Sequence, residues 1–118
     1  MNETKVDARF SPGMERIRLA FIEKLAGHAL TFVRLCREIE AGQAPRDALR
    51  EMQLLAHRMY GVAGSVGLPE VGETLRQIET KVQFGLRRNH DTQKILRTVR
   101  PHVVNLGRIT QAYRYGPR

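Results

Sequence analysis

His57, Gly61 and Gly64 share one side of a segment that otherwise reads as a helix. A helix turns about 100° per residue, so both glycines fall within ~40° of the histidine. Leu49, Met52, Leu55, Ala56, Met59, Val62, Ala63 and Val66 cluster around the opposite direction, near ~200°. That apolar stripe turns inward, and the imidazole turns outward. An exposed imidazole with a free nitrogen is a nucleophile near neutral pH, suited to taking up a group and passing it on. Each glycine inside a helix costs on the order of 1 kcal/mol relative to alanine. Two of them beside a nucleophile keep the surface bare, and the simplest use is close approach by another protein's backbone. Gln53, one turn before His57, belongs to the same candidate docking face.

The order His57-x-x-x-Gly61-x-Ala63-Gly64-x-Val66-Gly67, preceded by Ala56 and followed by an amphipathic helix ending in Ile78-Glu79, resembles a histidine phosphotransfer (Hpt) domain. The resemblance spans about Phe21 to Val82. It implies that His57 accepts a phosphoryl group through an N–P bond and hands it on. It implies a carrier with no nucleotide or metal site of its own and no cofactor. Its partners would be a receiver domain, a histidine kinase or both, which supply the metal and the stabilisation of transition-state charge. The family places an amide or carboxylate near the phosphoaccepting ring, and Glu79 stands at that position. A carboxylate accepting Nδ1–H would fix the tautomer and leave Nε2 as the nucleophile. Arg58 and Arg76 are the candidates for neutralising the added charge. Family members usually carry lysine three residues after the histidine, and this chain has Tyr60. Tyrosine keeps a hydroxyl donor and loses the cation. The expectation is weaker phosphohistidine stabilisation or an altered choice of partner.

The elements that must position these residues follow from the pattern. Ser11-Pro12 is a helix start, and Phe21, Leu25, His28, Phe32, Leu35 and Ile39 form an amphipathic stripe to about Ala41. Gly42 ends that helix, and Pro45 opens the next, which runs to about Val66. After Gly67-Leu68-Pro69, Val71, Leu75, Ile78, Val82 and Leu86 mark a third helix. Asp91 is a plausible N-cap for a fourth, with Leu96, Val99, Val103 and Leu106 on its inner seam. Pro101 lies in mid-run, where proline is expected to kink or split a helix. The fold class predicted is all-α, an up-down antiparallel four-helix bundle. The partition is a flexible N-terminus at 1–10, one bundle domain at 11–113 and a loose tail at 114–118.

Length and composition fit that reading. The 118 residues suffice for one domain with one core. The single cysteine, Cys36, excludes an internal disulfide and reads as a small core residue. There is no apolar run of the roughly 20 residues that a bilayer span needs, and no signal peptide at the start. A soluble, cytoplasmic monomer with no membrane association is expected. His28 reads as a hydrogen-bonded core histidine, His90 as a turn residue and His102 as a residue satisfying backbone at the proline kink. No two histidines share an i, i+4 pair, so no metal site is expected.

The net charge of +8 is uneven: residues 81–118 hold nine basic side chains against Asp91 alone. Three functions compete. A phosphorelay carrier in two-component signalling leads. A helical adaptor that docks through the same surface without being phosphorylated is the alternative, favoured by Tyr60. Nucleic-acid binding through the basic fourth helix is third, and the scarcity of aromatics near those arginines argues against stacking on single strands. Nothing supports a hydrolase or metalloenzyme.

Overall fold

The computed structural model describes residues 11–116, which form four helices: α1 (Pro12–Glu40), α2 (Pro45–Ser65), α3 (Pro69–Arg87) and α4 (Thr92–Tyr115). Each helix packs on its sequence neighbours, and α1 packs on α4 to close the ring. This is the up-down four-helix bundle expected from the pattern. The predicted flexible segment 1–10 lies outside the described residues.

The helix ends are set by local chemistry. The Ser11 side chain accepts from the Met14 amide at 3.1 Å, and proline occupies the first turn of α1. Asp91 does the same for α4, with Oδ1 accepting from the amides of Gln93 and Lys94 at 2.8 and 3.3 Å. Three helices end alike. Gly42, Gly67 and Asn89 take positive φ values of 74°, 72° and 54°. In each case the following amide turns back onto a carbonyl of the last turn: Gln43 to Glu38, Leu68 to Ala63, and His90 to Gly85, at 2.9–3.1 Å. These closures reverse the chain in a few residues and satisfy carbonyls that a helix end would orphan.

All four inner stripes meet in one core. Phe32, Leu25, Leu35 and Ile39 from α1 pack with Leu49 and Met52 of α2, Leu75 and Ile78 of α3, and Leu96 and Leu106 of α4, all fully buried. Cys36 is buried among them, and burial raises its thiol pKa, as expected of an inert core residue. Thr74 and Thr110 are the buried polar side chains among the described residues. Each returns its hydroxyl to a carbonyl four residues back, at 2.9 and 2.7 Å.

Four expectations need correction. Pro101 does not split the fourth helix, which is continuous from Thr92 to Tyr115. Pro101 is on the solvent side, so the carbonyl it leaves without an amide partner can be hydrated. The helix also persists past Tyr113. Arg114 makes a two-pronged pair with Glu23 of α1, at 3.2 and 3.3 Å, which ties the last turn to the bundle. Val62 sits at the edge of its stripe and is 45% exposed. His28 is half-buried beside the cleft between α1 and α2 and has no hydrogen-bond partner among the described residues, so it is not a core histidine.

Gly85 leaves no room for a side chain between α3 and α4. A Cβ there would stand 2.5 Å from Ile95 Cγ1 and 2.8 Å from its Cδ1. Gly85→Ala is therefore expected to destabilise the protein by about 1–3 kcal/mol in urea titration. Adding Ile95→Ala should make the combined loss smaller than the sum of the two. An alanine at 85 that stabilised, as it would in an open helix, would contradict the packing.

Candidate functional site

The site lies on the seam between α2 and α3. His57 is in the fourth turn of α2 and its side chain is 67% exposed. Glu79, 22 residues on, lies on the flank of α3 that faces α2. Its side chain is only 18% exposed, and its Oε2 is 2.7 Å from His57 Nδ1. An ionised carboxylate can only accept, so the proton of a neutral ring must sit on Nδ1. Nε2 then carries the lone pair, with no hydrogen-bond partner among the described residues. Among the described residues His57 is the ion-pair partner of Glu79, so no lysine or arginine competes for that carboxylate.

The two glycines are as bare as the spacing suggests. A Cβ at Gly61 or Gly64 would meet nothing within 4 Å, and both residues are exposed. Neither glycine serves helix packing within the bundle. Gln53 lies one turn before His57 on the same face, half-buried.

The remaining candidates are placed elsewhere. Arg76 is held on α3 by Glu73, at 2.9 and 3.1 Å, and that pairing with help from Gln77 lowers the Glu73 pKa to about 2. Arg58 points toward α1, lining a cleft of about 390 Å³ with Ile17, Phe21, His28, Met59 and Val62. Tyr60 is 41% exposed, and its ring edge passes about 4 Å from where a Cβ of Gly72 would stand. Its ring therefore lies across α3, with no hydrogen bond to His57. The structure brings Glu79 to the imidazole and does not bring Arg76.

Two features around the site are not evident in the sequence. One is the apolar cleft between α1 and α2, which exposes Ile17 and Val62. The other is a basic end: Arg46, Arg50 and Arg87 line one cleft with Gln53 and Gln83. A signal for the second was available, because Gln53, Arg50 and Arg46 precede His57 by 4, 7 and 11 positions and so share its face.

A family model for the Hpt domain matches residues 16–111. The chain belongs to the histidine phosphotransfer family. Hpt domains are helical bundles that carry phosphoryl groups in phosphorelays rather than acting as classical enzymes. The matched span covers all four helices, so the family assignment and the bundle agree over the same residues. No curated protein and no solved structure matched the chain. Among the described residues, no helix of this Hpt domain is long and apolar enough to cross a membrane.

The carboxylate–imidazole contact has a direct spectroscopic consequence. In 15N-resolved NMR of the neutral ring, His57 should be held as the Nδ1–H tautomer. Glu79→Ala should shift the population toward Nε2–H, the form that free imidazole side chains favour. An unchanged tautomer ratio in the variant would show that Glu79 does not set it.

Proposed function

We propose that this protein relays a phosphoryl group on His57 between the aspartate of a receiver domain and a second receiver or a histidine kinase. The observation that carries the reading is an imidazole two-thirds exposed, with Nδ1 bonded to a carboxylate and Nε2 without a partner among the described residues. In the forward step Nε2 attacks the phosphorus of the partner's phosphoaspartate. The N–P bond forms as the P–O bond breaks, and the aspartate leaves as a free carboxylate. The ring keeps its Nδ1 proton and gains positive charge, and the Glu79 carboxylate beside Nδ1–H stabilises that charge. Return transfer reverses the same steps. The partner supplies the metal and the cationic groups around the phosphoryl oxygens.

Docking uses the open side of α2. Gly61 and Gly64 let a partner's backbone approach, and the apolar rim of Ile17 and Val62 gives it surface to bury. Gln53 borders the same patch. Arg58 on one flank and Tyr60 on the other bracket it, while Arg76 would have to leave Glu73 to reach the phosphoryl group. On this reading the protein acts as a cytoplasmic monomer. A second reading, an adaptor that docks without phosphorylation, rests on Tyr60 standing where a lysine cation would otherwise face the phosphoryl group.

Incubation with a phosphorylated receiver decides between them. Label should pass to the wild-type protein and not to His57→Gln. Undiminished labelling of the variant, or none of either, rejects the relay. Tyr60→Lys should lengthen the phosphohistidine half-life, and an unchanged half-life removes any role for that position. Gly61→Ala with Gly64→Ala should raise the stability of the free protein by roughly 1 kcal/mol per site and slow transfer from the receiver. Unaltered transfer would show that bare backbone is not needed there.

A further inference from the structure

The basic residues of the C-terminal third do not form one continuous stripe. Arg100 is 3.4 Å from Glu40, and Arg114 pairs with Glu23, so both are neutralised by α1. Arg108 donates to Asn105 at 2.8 Å. Lys81, Arg87, Arg88, Lys94, Arg97 and Arg108 have no acidic partner among the described residues. Three of these six, Lys81, Arg88 and Lys94, gather around one groove.

That groove runs between α3 and α4 and has a volume of about 560 Å³. Lys81 stands on its α3 wall and Lys94 on its α4 wall, with the hydroxyl residues Thr80 and Thr98 beside them. Its floor is apolar, made by Gly85, Ile95 and Phe84. Phe84 is 53% exposed although it lies in a concave site. Arg88 sits over its ring at 4.7 Å, and His90 meets it edge-on at 5.7 Å. No carboxylate lines the groove. Two acids adjoin the groove in sequence, and both are engaged elsewhere: Asp91 turns one oxygen onto two amides of α4 as that helix's cap, and Glu79 bonds His57 on the other side of α3. Lys81 also helps to hold the His102 pKa down, after burial, so its charge is felt along the same side of α4.

We propose that this groove is a second docking site, which binds an acidic peptide segment of a partner protein through an apolar anchor residue. The anchor would cover Phe84 and the floor, while flanking carboxylates would meet Lys81 and Lys94 on opposite walls. A nucleic-acid duplex fits less well. It needs a ridge of cations at phosphate spacing and has no use for an apolar floor, and the longer stripe is interrupted by the Glu40 and Glu23 pairs. The site is separate from His57. Lys81 follows Glu79 by two residues and so lies ~200° around α3 from it. A partner can hold this groove while another occupies the histidine face.

A fluorescein-labelled decapeptide, with a Leu-Phe pair among eight Asp and Glu residues, tests this by fluorescence anisotropy with the full chain. Binding should weaken as salt rises. Lys81→Glu with Lys94→Glu should weaken it about tenfold or more, and Phe84→Ala should weaken it several-fold, with thermal melts confirming that each variant is folded. A peptide in which serine replaces the Leu-Phe pair should bind more weakly than the parent. His57→Gln should leave binding unchanged. The proposal fails if the parent peptide does not bind or if the charge reversals have no effect. It also fails if a 16-base-pair duplex or a vesicle rich in anionic lipid binds this groove more tightly than the peptide does.

Discussion

One hydrogen bond across the α2–α3 seam, from His57 Nδ1 to Glu79 Oε2, gives the rest of the structure its purpose. Its contribution to folding is small. A hydrogen bond this exposed contributes on the order of 1 kcal/mol or less to stability. Its effect on chemistry is larger, because it fixes which ring nitrogen has a lone pair and where that nitrogen points. The bond forms only if two helices from different parts of the chain meet in one register. The reversal at Gly67 and Leu68 sets the start of α3. Ala56, Met59 and Ala63 of α2 and Val71, Leu75 and Ile78 of α3, all buried, hold the seam closed below the site. The core thus positions an exposed imidazole that takes no part in the core.

The glycines show two opposite uses of a missing side chain. Gly85 is buried, and its lack of a Cβ lets α4 bring Ile95 into contact with α3. Gly61 and Gly64 face open space, and nothing inside the molecule benefits from them. Alanine at these two positions would make a better helix. Their cost to the free protein fits the proposed approach of a partner to the helix backbone, and they follow the exposed His57 by one and two turns on its own face.

Much of this was legible in the sequence because the governing physics is local. Ser11, Gly42, Pro45, Gly67 and Asp91 act within a few residues of themselves, so the helix ends follow from residue type. The apolar stripes repeat at helical spacing, so the bundle follows from periodicity. Glu79 was reachable as well, since the resemblance placed an acceptor there and its position on the edge of an apolar stripe put it at a helix seam. What escaped depends on contacts between distant residues. Arg114 extends α4 because Glu23 lies across the bundle from it, 91 positions away. Pro101 leaves its helix intact because it faces water, which its own identity does not reveal. Val62 and His28 sit on the margins of their stripes, where a few degrees decide between core and cleft. The cluster of Lys81, Arg88 and Lys94 emerges only once α3 and α4 are packed side by side, with Arg100 and Arg114 paired to α1 instead.

In the proposed relay Glu79 holds the Nδ1 proton so that Nε2 receives the phosphoryl group. Phosphorus–nitrogen and phosphorus–proton correlation NMR on the phosphorylated protein identifies the bonded ring atom. A single phosphohistidine at His57 is expected, with phosphorus bonded to Nε2 and a proton retained on Nδ1. Phosphorus bonded to Nδ1, or found on any residue other than His57, would contradict it.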